Sequence, residues 1–121
     1  MATRRSFGEF VRATREQLQA GDTAAYTLRQ VAGRADIEPA YLSKIERDET
    51  PPPSEATIVR LAVELEVDPD VLLALAGKVS SELQGVIRKR PQLFAALLKE
   101  LKKAPDHAVL RLVREVRDGN W

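Results

Sequence analysis

Residues 27–46 read TLRQVAGRADIEPAYLSKIE, and this stretch holds two helix starts with one helix stop between them. Thr27 can accept the backbone N–H three residues on while Gln30 reaches back to the N–H of Thr27, the reciprocal arrangement of a capping box. Tyr26, just outside, can staple onto Val31. Leu28, Val31, Ala32 and Ala35 recur at helical spacing and so share one face. Ala32 is small where a second helix has to cross closely. Asp36-Ile37-Glu38 follows, and then Pro39, which lacks an N–H and is tolerated in the first turn of a helix but not in its interior. A second helix therefore starts at Pro39. Leu42 and Ile45, with Ile37 in the turn, anchor it to the first and leave its other positions facing outward.

Working outward, Ser6 and Glu9 form another capping box, and Phe7, Phe10, Val11, Ala13 or Thr14, and Leu18 supply the buried stripe of a helix of roughly 6 to 19. The connection Ala20-Gly21-Asp22-Thr23-Ala24-Ala25-Tyr26 joins it to Thr27. On the other side, Asp48-Glu49-Thr50-Pro51-Pro52-Pro53 cannot be helical. Ser54 then caps a helix in which Ile58, Leu61, Ala62 and Leu65 share a face. Val67-Asp68-Pro69 repeats the break and opens a fifth helix ending near Gly77. Three further amphipathic patterns follow: about 80–89 with Leu83, Val86 and Ile87; 91–103 with Leu93, Phe94, Leu97, Leu98 and Leu101; and 105–117 with Val109, Leu112, Val113 and Val116. Pro91 and Pro105 separate them. Short helices with such stripes must pack on the first five or on another chain.

Composition bounds the answer. At 121 residues the chain is one domain, or a small domain with an extension. It is 44% hydrophobic and 31% charged, as ordinary globular proteins are, and no apolar run approaches the roughly 18 residues that span a membrane. MATRRSF has charge but no apolar core behind it, so no secretory signal is expected; with no cysteine, neither disulfides nor thiolate chemistry is available. The expectation is a cytoplasmic protein with no membrane association. The net charge of +1 conceals an asymmetry: residues 1–78 carry 10 Lys/Arg against 13 Asp/Glu, a balance of −3, and residues 79–121 carry 9 against 5, a balance of +4.

Taken together, FGEFVRATRE, LRQVAGRADIEPAYLSKIER and PPSEATIVRLAVELEVDPDVLLALAG make the segment Phe7–Ala76 resemble the helix-turn-helix family of phage repressors, Cro and Xre-type regulators. The resemblance covers about 70 of 121 residues and lies in several features in register rather than in one tripeptide. It implies an all-α protein: a five-helix lambda-repressor-like DNA-binding domain over 1–78, with a C-terminal helical extension over 79–121 for dimerisation or partner binding. Relatives make the 20–26 connection with about six fewer residues. Here it is either a tolerated surface insertion, since loop lengthening costs little entropy, or an added contact to DNA or a partner.

In such a motif the second helix enters the major groove and the one before it crosses the backbone. The resemblance therefore implies base contacts from Glu38, Pro39, Ala40, Ser43 and Lys44. Lys44 can donate to guanine, Ser43 can pair with several edges, Ala40 or Pro39 can touch a thymine methyl, and Glu38 can accept from cytosine. Each also has a plain structural reading: Glu38 and Pro39 as helix starters, Lys44 as a solvated charge. Backbone contacts are expected from Thr27, Leu28, Arg29, Arg34, Tyr41 and Arg47, with Arg60 as a further phosphate candidate and Arg4 and Arg5 as a basic arm or a loose terminus. Arg15 and Glu46 match the family's structural ion pair. Leu93, Phe94, Leu97, Leu101, Leu112, Val113 and Val116 are the expected dimer or partner interface.

No catalytic constellation is present in the sequence. His107 is the only histidine, without Cys/His companions, and there is neither an HExxH nor a phosphate-cradling Gly-rich loop. No enzyme activity, metal or cofactor is expected. The basic clusters Arg88-Lys89-Arg90 and Lys99, Lys102, Lys103 either extend a DNA footprint or complement helix ends. The sequence thus points to a DNA-binding transcriptional regulator, a repressor binding a pseudopalindromic operator on double-stranded DNA as a homodimer. The alternative is an antitoxin-type chain that grips a toxin and autoregulates. The C-terminal pattern also resembles regulators encoded beside metallopeptidases that cleave or release them.

Overall fold

A computed structural model describes residues 5–119, and among them there are helices and no strands. Contacts divide the chain after Ser80 into two compact units.

The first unit holds α1 (Phe7–Gly21), α2 (Leu28–Arg34), α3 (Pro39–Glu46), α4 (Glu55–Glu64) and α5 (Pro69–Leu75). Their starts are written in short polar side chains. The Ser6 hydroxyl accepts the Glu9 N–H, Thr27 that of Gln30, Ser54 that of Thr57, and the Asp68 carboxylate that of Asp70. α3 has no side-chain cap and starts on Pro39, whose missing N–H is one of the orphan donors such an end would otherwise leave. α1 runs two residues beyond the sequence expectation. The connection to α2 is correspondingly shorter, and in it the Asp22 carboxylate accepts the Ala25 N–H at 3.1 Å.

The helix ends are equally regular, but only one of them is a glycine. Asp36 (φ 59°), Asp48 (φ 56°), Glu66 (φ 59°) and Gly77 (φ 73°) take the left-handed conformation after α2, α3, α4 and α5. In each case the next N–H returns to a carbonyl five residues back: Ile37 to Ala32, Glu49 to Lys44, Val67 to Ala62, Lys78 to Leu73, all at 2.9–3.0 Å. These are Schellman closures. The turns after α2 and α4 match residue for residue, Ala35-Asp36-Ile37-Glu38-Pro39 against Leu65-Glu66-Val67-Asp68-Pro69.

The core is one cluster: Phe7, Val11, Val31, Ala32, Ala35, Leu42, Ile45, Ile58, Leu61, Ala62, Leu65, Leu72 and Leu73. α3 packs on α1 and α2, α2 packs on α4, and α4 packs on α5. Ala32 and Ala62 are fully buried, and their small side chains leave room for the close α2–α4 approach.

The second unit holds α6 (Ser81–Lys89), α7 (Pro91–Leu101) and α8 (Asp106–Asp118). No residue of these three helices is buried. α6 packs on α7, and Val86, Arg90, Leu93, Phe94 and Leu97 line a shallow, mostly apolar cleft of about 190 Å³. Among the described residues no helix is long and apolar enough to cross a membrane.

Candidate nucleic-acid interface

α3 is held from below and bare above. Leu42, Ile45 and Glu46 are buried, Pro39, Tyr41 and Ser43 are half-buried, and Glu38, Ala40 and Lys44 are exposed. The Glu38 side chain makes no capping bond, so its carboxylate faces outward with its acceptor capacity unspent.

Two polar contacts fix where α3 sits. Arg15 on α1 grips Glu46 with two parallel bonds, Nε to Oε2 at 2.7 Å and Nη2 to Oε1 at 2.9 Å, with both side chains more than nine-tenths covered. Its Nη1 donates to the Tyr26 carbonyl at 3.2 Å and to Gln19 Oε1 at 3.3 Å. One guanidinium thus joins α1, the end of the α1–α2 connection and the end of α3. Its hydrogen bond to the Glu46 carboxylate holds the Arg15 pKa above its ordinary value, outweighing the opposing effect of burial. A bidentate pair whose third nitrogen is also hydrogen-bonded is the arrangement in which a buried ion pair is tolerated.

The second contact is one that sequence reasoning missed. Asp48, just past α3, accepts the Gly8 N–H at 3.1 Å and the Ser6 hydroxyl at 2.5 Å. A Cβ on Gly8 would lie 2.2 Å from the Ile45 carbonyl oxygen, so the start of α1 and the end of α3 touch backbone to backbone. The contact spans forty positions of sequence, and the only hint of it is a glycine in an otherwise strong helix.

The expected phosphate-contacting residues separate into two groups. Arg34 pairs with Glu64 on α4, Nε to Oε2 at 2.6 Å, and lies over the Tyr26 ring at 5.4 Å from its centroid. Arg60 donates to the Ala35 carbonyl at 2.9 Å and to the Thr57 hydroxyl at 3.2 Å, capping the end of α2 from α4. Both bonds tie α2 to α4. Arg29 is exposed. Arg47, also exposed, pairs with Glu49 at 3.1 Å and donates to the Ser43 carbonyl at 3.3 Å. Thr27 and Leu28, both half-buried, start α2 beside a cleft of about 210 Å³ lined by Arg12, Arg15, Leu28, Ser43, Glu46 and Arg47. Arg5 is exposed, and Arg4 lies outside the described residues.

Of the apolar residues expected to form an interface, Leu93, Leu97, Leu112, Val113 and Val116 are exposed, and Phe94 and Leu101 are half-buried. His107 is exposed at the start of α8, and among the described residues no group of three or more His, Cys, Asp or Glu could hold a metal ion.

Comparison with curated proteins and with solved structures finds no match. A family model described as a helix-turn-helix domain matches residues 6–75, more than half of the chain and all five helices of the first unit. The matched stretch contains both contacts that fix α3 and every residue expected to face DNA from α2 and α3. The chain therefore belongs to the helix-turn-helix domain family, a family of DNA-binding proteins.

Proposed function

We propose that the chain is a sequence-specific transcriptional regulator of the phage-repressor, Cro and Xre type, acting as a repressor on a pseudopalindromic operator. The observation that carries this reading is the state of α3: anchored by Leu42, Ile45 and Glu46, it leaves Glu38, Ala40 and Lys44 bare at one end of the helix and along its outer face. Those side chains are short or flexible enough to reach base edges in a major groove. Lys44 donates to a guanine, Glu38 accepts from a cytosine, Ala40 and Pro39 meet a thymine methyl, and Ser43 and Tyr41 work at the margin.

Residues 1–78 form the reading unit and residues 79–121 a dimerisation or partner region. A net acidic reading unit with few base-reading groups binds weakly alone. Two copies on half-sites about 34 Å apart multiply that affinity. The exposed apolar residues of α7 and α8 support a homodimer, or a regulator that answers to a metallopeptidase; the second reading is an antitoxin-type chain whose C-terminal helices hold a toxin while the helix-turn-helix autoregulates.

The test is a gel-shift titration on the DNA upstream of the chain's own reading frame, with every operator base pair varied in turn. Lys44→Ala should lower affinity by about 1 to 3 kcal/mol and relax the preference at one base pair. An unchanged preference profile would remove Lys44 from the reading set.

A further inference from the structure

Two arginines flank the cleft between α1 and α3, and each is held by a glutamate of its own segment. Arg12 Nε meets Glu16 Oε1 at 2.7 Å one turn along α1, and Arg47 Nη2 meets Glu49 Oε2 at 3.1 Å just past α3. All four side chains are at least half exposed. The third arginine of the cleft, Arg15, is a different case: all three of its nitrogens are engaged, with Glu46, Gln19 and the Tyr26 carbonyl. The cations that an incoming anion can recruit here are therefore Arg12 and Arg47, with Ser43 also in the lining.

We propose that Glu16 and Glu49 are built-in competitors of DNA phosphate, each occupying one arginine of this cleft and so restraining the sequence-independent part of DNA binding. The proposal rests on the DNA-binding reading above. A guanidinium carries five N–H donors, so a phosphate can share Arg12 or Arg47 with its glutamate or displace it. Exposed ion pairs of this kind are weak, and a doubly hydrogen-bonded phosphate competes well against them. The hydrogen bond to Glu16 keeps the Arg12 pKa above its ordinary value, and Arg12 in turn lowers that of Glu16, so both stay charged throughout the neutral range. Phosphate contacts give affinity without sequence information, and a regulator depends on the ratio of specific to non-specific binding. Two carboxylates at this place lower the non-specific term and leave the outer face of α3 untouched. They also account for part of the −3 balance of residues 1–78.

The experiment uses the full chain with Glu16→Gln, Glu49→Gln and both together, titrated on a mixed-sequence duplex and on its own upstream DNA at about 50 and 200 mM salt. Glutamine keeps length and helix propensity, and a thermal melt of each variant checks that the fold is retained. Each substitution should tighten binding to the mixed duplex about three-fold and the pair about ten-fold, the size expected for one charge removed several ångströms from a phosphate in a wet interface. Salt dependence should steepen and the base-pair preference profile should stay the same. In an Arg12→Gln background the gain from Glu16→Gln should shrink towards nothing. An equal gain in both backgrounds would make Glu16 a distant background charge and overturn the competition. So would wild-type DNA binding that neither substitution alters. Failure of every variant, wild type included, to bind any duplex would overturn the DNA-binding reading itself and this proposal with it.

Discussion

The two units use the same material to opposite effect. Residues 5–80 place thirteen apolar side chains in one buried cluster, whereas α6, α7 and α8, with stripes as regular as those of α1 and α4, bury no residue at all. In the first unit, Ala32 and Ala62 let α2 and α4 approach closely, and Gly8 lets α1 meet the end of α3. In the second unit α6 packs on α7, and Leu83, Val86, Leu93, Leu97, Leu98, Leu110, Leu112, Val113 and Val116 stay exposed. One unit is a finished core and the other is an unfinished one.

Cutting the chain after Lys78 is the most drastic way to break this contrast. Lys78 stays with the first unit, where its ammonium donates to the Pro53 carbonyl at 2.8 Å. Residues 1–78 should melt cooperatively on their own. If α6 to α8 join two copies, the truncated chain should bind a duplex with two half-sites about 10²- to 10⁴-fold more weakly than the full chain, the usual effect of losing linked binding. Sedimentation and a thermal melt of both forms read the outcome. A full-length chain that stays monomeric at micromolar concentration would count against the dimer, and a truncated chain that aggregates would show that the first unit is not self-sufficient.

Within the finished core, the Arg15–Glu46 pair should dominate single-site effects. Either alanine change strands a covered charge and should cost about 3 to 5 kcal/mol. The double change should cost less than the sum, because it removes both charges together. A denaturant double-mutant cycle giving simple additivity would mean that the two groups act independently.

Leucine truncations measure the contrast directly. Leu61→Ala, fully buried, should cost about 2 to 5 kcal/mol. Leu112→Ala, 41% exposed, should cost less than about 1 kcal/mol in the monomer. Comparable costs at protein concentrations where copies associate, with the small value returning on dilution, would place Leu112 in an interface between copies.

Much of the first unit could be read from the chain because its helix starts are local chemistry: Thr27, Ser54, Asp68 and the prolines at 39 and 69 each act within a turn of themselves. What escaped reading is what distant segments do to one another. Arg34 and Arg60 read as phosphate candidates, and nothing local gives the partners 25 to 30 positions away that tie each of them across α2 and α4. Asp48 looked like part of a loop and is a clasp on the start of α1. The outward face of α3 follows from its apolar spacing, but the spacing says nothing of the arginine-lined cleft beside it, which needs α1 and α3 brought side by side.

The smallest expected effect tests the helix ends, which are also a place where local signals mislead. Glycine is the residue suited to a left-handed terminus, and only the α5 and α8 ends have it, at Gly77 and Gly119. Glu66 adopts φ 59° with a Cβ in place, a conformation that costs non-glycine residues about 1 to 2 kcal/mol. It is retained because the Val67 N–H closes on Ala62 and Val67 packs against the core. Replacing Glu66 with glycine removes that steric cost but adds freedom to the unfolded chain, which offsets part of the gain. The net should be a stabilisation of about 0.5 to 1 kcal/mol, a rise of roughly 2 to 8 °C in the melting temperature of a unit this size. Because Glu66 is exposed and lies in the turn between α4 and α5, DNA affinity should not change beyond the loss of one surface carboxylate. A differential scan resolves the comparison: the transition of residues 5–80 should move and that of the α6–α8 unit should not. A shift of both together would mean that the two units unfold as one, and that the second is more dependent on the first than its exposed side chains suggest.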